Sequence, residues 1–151
     1  MNVKYETLYG RSSGKEEWLT PPPLIEALGE FDLDPCAPIK RPWDMARNHY
    51  TIEDNGLEKD WFGRVWLNPP YGTFTKYWVE KAAKHGNCIT LIFNRSDTNF
   101  FHQHVFPNAY AILYLKGRVK FHYTNGRQGD SSGAPSILVA FDQDNADVLE
   151  N

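Results

Sequence analysis

The order of the apolar segments is the feature that most restricts the fold of this chain of 151 residues. Strand-like runs lie at 31–34, 65–67 and 87–93, and helix-like segments follow the last two at about 73–85 and 97–106. Short strands that alternate with helices in this way build a parallel sheet with helices on its faces. The pattern therefore predicts an α/β fold.

The end of the chain contains strands with no helix between them. Three further strand-like segments lie at 109–115, 118–123 and 136–141, and a polar, glycine-containing loop separates the last two. Strands that follow one another so closely favour antiparallel pairing. We therefore expect a mostly parallel, Rossmann-like sheet with antiparallel C-terminal strands.

The N-terminal residues differ in composition from the rest. Residues 1–17 are polar, and we expect a flexible arm there, with 18–151 forming a single domain. Thr20 stands before Pro21, and a threonine followed by proline at the first helical position is typical of a capped helix start. Gly29 is expected to end that helix.

The composition argues against several classes of protein. The formal net charge of -3 does not favour nucleic-acid binding, so any phosphate contact must come from a local basic patch. The two cysteines, Cys36 and Cys88, form no disulfide framework, and no apolar run approaches the length of a membrane span. We expect a soluble, cytoplasmic protein, and we find no spacing of His and Cys that indicates a metal site.

The most specific motif is Asn68-Pro69-Pro70-Tyr71, which stands between a predicted strand and a predicted helix. Ligands of open α/β sheets bind beyond the carboxyl ends of the strands, so this loop lies where a site is expected. The Asn68 side-chain oxygen and the Pro69 carbonyl are two acceptors for the hydrogens of a planar amine. Consecutive prolines stiffen the backbone, and Tyr71 offers a flat face for stacking.

The motif and its neighbouring segments also resemble those of a known protein family. The sequence resembles the amino-methyltransferases, whose loop reads Asp, Asn or Ser, then Pro-Pro, then Tyr or Phe. More narrowly, it is similar to the small phage-type DNA N6-adenine methyltransferases of the Dam family. The resemblance is carried, in chain order, by residues 18–21, 31–37, 54–57, 65–72, 78–83, 117–121 and 135–141.

The resemblance implies a methyltransferase that uses S-adenosyl-L-methionine and acts on adenine in double-stranded DNA of a bacterial host. It implies cofactor contacts from Asp34 and Pro35, with Thr20 near the methionine end and Asp54 near the adenosine. No Gly-x-Gly follows Pro35, unlike in the larger enzymes, and only 34 positions separate Asp34 from Asn68. The cofactor pocket is therefore expected to be abbreviated. Each of these residues also has a structural alternative. Thr20 could equally cap a helix and Asp54 could equally form a turn, whereas for Asp34 the cofactor contact is favoured over a residue that merely ends a strand.

Basic side chains cluster near the late strands. Alternation along the predicted strand 118–123 would place Lys116, Arg118 and Lys120 on one face, with Arg127 nearby in the following loop. Such a face could follow DNA phosphates, or could be a solvated sheet edge. Arg95 follows the third strand, at the ligand-binding end of the sheet.

Two alternatives stay open at the level of sequence. The same loop chemistry serves methyltransferases that act on protein glutamine or on RNA bases, because all these substrates present a planar amine. The missing glycine motif also leaves room for a degenerate fold that binds nucleic acid without catalysis.

Overall fold

The computed structural model describes residues 18–130 and 132–151, so the expected N-terminal arm lies outside the described residues. The strands are β1 (Trp18–Leu19), β2 (Leu33–Asp34), β3 (Asn48–His49), β4 (Val65–Leu67), β5 (Cys88–Phe93), β6 (Ala111–Tyr114), β7 (His122–Tyr123) and β8 (Ser136–Ala140). The helices are α1 (Pro22–Leu28), α2 (Thr75–His85) and α3 (Gln143–Glu150), with a π-helical segment at Phe101–Val105.

The centre of the molecule is a six-stranded mixed sheet in the order β3-β2-β4-β5-β8-β6. The first four strands in this order run parallel, and β8 pairs antiparallel with both β5 and β6. The predicted α/β class is confirmed, as are the antiparallel C-terminal strands. Because β5 and β6 both oppose β8, the carboxyl ends of β2, β4, β5 and β6 all lie at one edge of the sheet.

The sheet is buried on both faces. Val65 and Leu67 of β4 pack in one apolar cluster with Trp78 of α2, and the π-helical segment covers the same face. Trp66, between them in the chain, packs in the other cluster beneath α1 and α3. This alternation is the period of two that a strand imposes on its side chains, and double burial explains why β4 and β5 are almost wholly apolar.

The predicted role of Thr20 as a helix cap is wrong. Helix α1 begins at Pro22, after Pro21 in an extended conformation, and no side chain caps its N-terminus. Thr20 is instead buried in the interior. Gly29 ends the helix with a φ of 91°, as expected.

The predicted strand at 118–123 is also largely wrong. Only His122–Tyr123 is a strand, and it pairs antiparallel with β1 in a separate two-stranded sheet, with Tyr123 opposite Trp18. The Leu115 amide still donates to the Ser136 carbonyl at the start of β8, but the Val119 and Phe121 carbonyls accept from Ser132 and Gly129, which lie on irregular backbone. Alternation of side chains alone therefore does not make 116–121 a strand. The sequence analysis did not predict β3 or α3. Asp142 caps the N-terminus of α3, where its side chain accepts a hydrogen bond from the Asn145 amide at 2.9 Å.

No helix among residues 18–130 and 132–151 is both long enough and apolar enough to cross a membrane.

Candidate functional site

The Asn-Pro-Pro-Tyr loop leaves the sheet at the carboxyl end of β4, between the ends of β2 and β5. Pro69 is buried, whereas Asn68 and Tyr71 are partly exposed. Gly72 closes the loop with a φ of 143°, a conformation that only glycine adopts readily. The loop that carries the two predicted amine acceptors therefore begins at the carboxyl end of a strand inside the parallel part of the sheet.

The Tyr71 ring is held by the neighbouring strand. It stacks on Phe93 at the end of β5, with the ring centroids 4.1 Å apart and the planes inclined by 7°. Burial raises the pKa of Tyr71, and the positive charge of Arg95 opposes that rise. Tyr71 is thus a neutral, apolar surface with one face already packed. The sequence did not single out Phe93, which looked like an ordinary strand residue.

A cavity of about 270 Å³ adjoins Tyr71 between the start of α2 and the end of β5. Its lining includes Phe93, Arg95, Thr98 and Phe100. The Arg95 guanidinium is exposed and lies 5.7 Å from the centroid of the Phe93 ring. Arg95, predicted from its position after the third strand, therefore lines the same cavity as Tyr71.

Asp34 ends β2 and is almost completely buried. Its Oδ1 accepts a hydrogen bond from the Cys36 amide at 3.1 Å. Burial raises the pKa of Asp34 to about 7, although the Cys36 amide and the charge of Arg41 act in the opposite direction. A carboxyl group so deep at a strand end needs a partner that compensates for its desolvation.

Two segments far apart in the chain meet beside Asp34. A Cβ atom on Gly56 would lie only 2.0 Å from the Pro35 carbonyl oxygen, so glycine is required for this approach. The preceding residue, Asn55, is buried with a φ of 57°, and its Oδ1 has no hydrogen-bond partner among the described residues. Sequence reasoning missed Asn55, although the Asn-Gly pair marked a turn.

Asp54 and Thr20 take different positions. The Asp54 side chain is exposed, and its Oδ2 accepts a hydrogen bond from the Thr51 amide at 2.8 Å, which closes a turn. Thr20 is fully buried, and its Oγ1 has no hydrogen-bond partner among residues 18–130 and 132–151. The Thr20 carbonyl accepts a hydrogen bond from Trp43 Nε1 at 3.1 Å.

The late basic residues are exposed, as predicted, but on irregular backbone. Lys116, Arg118 and Lys120 lie between β6 and β7. Arg127 follows β7, and its guanidinium stands 5.6 Å from the centroid of the Tyr123 ring. Because this segment leaves the carboxyl end of β6, it begins at the edge of the sheet that carries Asn68.

No group of three or more potential metal-ligating side chains is present in the part of the chain that the structure describes.

Residues 10–148 match the family described as DNA N-6-adenine-methyltransferase (Dam), which covers nearly the whole chain. The chain belongs to the Dam family. It is accordingly an adenine-specific DNA methyltransferase, and the Asn68 loop lies within the matched region of this Dam protein. The comparisons with curated proteins and with solved structures gave no match.

Proposed function

We propose that this Dam protein transfers a methyl group from S-adenosyl-L-methionine to the N6 amine of adenine in double-stranded DNA. The observation that carries the proposal is the Asn68-to-Tyr71 loop at the carboxyl end of β4, with Asp34 at the corresponding end of β2. In a Rossmann-like sheet, this edge is where ligands bind. Residues 18–151 form the methyltransferase domain in this proposal.

The polar groups near the strand ends fit the proposed cofactor. Buried polar atoms in proteins are normally paired, yet Thr20 Oγ1 and Asn55 Oδ1 have no partner among the residues described. The cofactor carries hydroxyl and amino groups that can donate to such acceptors, and also to the buried Asp34 carboxylate. Thr20, Asp34, Pro35 and Asn55 would therefore hold it, with Asp54 at a second polar contact. The bound cofactor supplies an electrophilic methyl group.

The proposed catalytic work of the protein is to orient the amine. The lone pair of an adenine amine is delocalised into the ring, which makes the nitrogen a poor nucleophile. Asn68 Oδ1 and the Pro69 carbonyl would each accept one amine hydrogen and favour a pyramidal nitrogen. Pro69 and Pro70 fix φ and restrict the backbone of the residue before each, so the main chain that carries both acceptors is held in place before the substrate arrives.

The target base must leave the duplex to reach this loop. We propose that it stacks on the face of Tyr71 that Phe93 leaves free, because base–aromatic stacking needs only an apolar ring face. The extra proton of the methylated amine can leave to solvent after transfer, so no strong general base is required. Arg95, Lys116, Arg118, Lys120 and Arg127 would contact the DNA backbone.

The experiment that tests the proposal compares wild type with Asn68→Ala. DNA is incubated with S-adenosyl-L-methionine and each protein, and N6-methyladenine is measured by mass spectrometry after digestion to nucleosides. Asn68→Ala is expected to abolish transfer and to leave cofactor affinity unchanged in calorimetry. Asn108→Ala is the matched control, because Asn108 is exposed on a turn and its side chain donates to the His104 carbonyl, remote from the loop in sequence.

Several outcomes would contradict the proposal. More than half of the wild-type turnover in Asn68→Ala would exclude the role given to Asn68. If RNA or protein were methylated while DNA stayed unmodified, the substrate of the methyl transfer would be RNA or protein rather than DNA adenine. If wild type bound no cofactor at millimolar concentration, the fold would be a nucleic-acid-binding module without this activity.

A further inference from the structure

Thr75, the first residue of α2, is bonded to the catalytic loop rather than to its own helix. Its Oγ1 donates a hydrogen bond to the Pro70 carbonyl at 2.6 Å and accepts one from the Gly72 amide at 3.0 Å. Thr75 is only 8% exposed, and its own amide donates to the Gly72 carbonyl at 3.3 Å. One side chain thus joins the peptide groups on both sides of Tyr71.

The chemistry of the loop explains why such a connection is needed. Pro69 and Pro70 have no amide hydrogen, so the loop has few backbone donors with which to hold its shape. Phe74 stands at the N-cap of α2 and offers no polar side chain, and the Thr75 hydroxyl, one residue later, turns back towards the loop. The Tyr71 ring is fixed separately by its stacking on Phe93.

We propose that Thr75 is a positioning residue for methyl transfer. This inference rests on the proposed function of the Asn68 loop. By holding the Pro70 carbonyl and the Gly72 amide, the hydroxyl fixes the backbone that carries both Tyr71 and the Pro69 acceptor. Thr75 touches neither the base nor the cofactor in this proposal. Loss of the Thr75 hydroxyl would leave both acceptors present, but their distance from the reacting amine would no longer be fixed.

Two variants separate the role of the Thr75 hydroxyl group from that of its methyl group. Thr75→Val keeps the size of the side chain and removes both hydrogen bonds, whereas Thr75→Ser keeps the hydroxyl. Misplacement of reacting groups by about 1 Å can cost about 100-fold in rate, so we expect kcat of Thr75→Val to fall by about 10- to 100-fold. The KM for DNA and the Kd for S-adenosyl-L-methionine should stay within about threefold of wild type, because Thr75 contacts neither the DNA nor the cofactor in this proposal.

The matched control is Thr90→Val. Thr90 is a fully buried threonine in β5, opposite Leu67 of β4, and its hydroxyl lies 3.5 Å from the Cys88 sulfur. The substitution therefore makes the same chemical change close to the loop but removes no hydrogen bond to it. It should lower stability without lowering kcat. Rescue of turnover in Thr75→Ser would confirm that the hydroxyl, and not the packing of the methyl group, is what matters.

A second measurement does not depend on activity or on any variant that folds poorly. The Gly72 amide of wild type should be protected from hydrogen exchange in NMR, because Thr75 Oγ1 accepts its hydrogen. An unprotected Gly72 amide in wild type would overturn the proposal, and so would a wild-type kcat in folded Thr75→Val. If wild type itself methylates no DNA adenine, the proposed function fails instead, and a protected Gly72 amide would still support the contact.

Discussion

The contact between Gly56 and Pro35 leads to a sharp prediction, because it joins two segments that we assign to the cofactor site. In Gly56→Ala, the new Cβ would stand 2.0 Å from the Pro35 carbonyl oxygen and 3.1 Å from the carbonyl carbon. It would also stand 3.3 Å from a ring carbon of the buried Trp78. Backbone on one side and a packed indole on the other leave the methyl group no free space.

The magnitude follows from these distances. Ordinary van der Waals contact begins at 3.4 Å, so the Pro35 carbonyl must withdraw by about 1.4 Å. Overpacking of this kind costs about 1–3 kcal/mol, which for a protein of this size lowers Tm by about 2–12 °C. The movement would also separate Asn55 from Asp34, and we expect the affinity for S-adenosyl-L-methionine to fall about tenfold, or 1.4 kcal/mol.

Urea denaturation and calorimetric titration measure the two effects. Gly133→Ala is the matched control, since a Cβ there meets nothing within 4 Å among the described residues. That variant should be neutral, or should gain stability by up to about 1 kcal/mol through the smaller entropy of its unfolded chain. An unfolding free energy of Gly56→Ala within about 0.5 kcal/mol of wild type, with unchanged cofactor affinity, would refute the close approach.

Two further predictions concern charge. Burial raises the pKa of Asp34 to about 7, so the folded protein keeps a proton that the unfolded chain releases near pH 4. The free energy of unfolding should therefore fall as the pH rises from about 4 to 7, and should level off above pH 7. Urea denaturation at pH 5 and 8 should show wild type losing about 1–3 kcal/mol more than Asp34→Asn, and equal losses would exclude this protonation. Lys120→Ala should reduce the slope of log affinity for DNA against log salt by about 0.9, if this exposed lysine neutralises one phosphate. Lys84→Ala, which removes a cation paired with Glu80 on α2, should leave the slope unchanged, and an unchanged slope in Lys120→Ala would exclude the phosphate contact.

The β4–loop–α2–β5 unit could be predicted because its signals are local. Apolar runs mark the two strands, Pro69 and Pro70 interrupt the first of them, and Gly86 ends the helix. Each of these signals acts within a few residues, through restricted φ or through the period of side-chain burial. The position of Asn68 at a ligand-binding edge follows from the same alternation of strands and helices.

Other elements depend on partners that are distant in the chain. Strand β3 is two residues long and exists because it pairs with β2, so no periodicity can reveal it. Strand β7 pairs with β1, more than a hundred positions earlier, rather than with its neighbours in sequence. Thr20 carries the pattern of a helix cap, but the packing of the interior buries it and moves the start of α1 to Pro22.

The amino-acid sequence was sufficient to predict the Asn-Pro-Pro-Tyr loop between a strand and a helix, the class of fold and the family, because these depend on residue types at short spacing. The tertiary structure decided which side chains surround that loop. Phe93 behind Tyr71, Gly56 against Pro35, and Thr75 across Pro70 and Gly72 are contacts made through space. Such contacts arise when strands settle into register and a helix packs on the sheet, and no local pattern of residues encodes that arrangement.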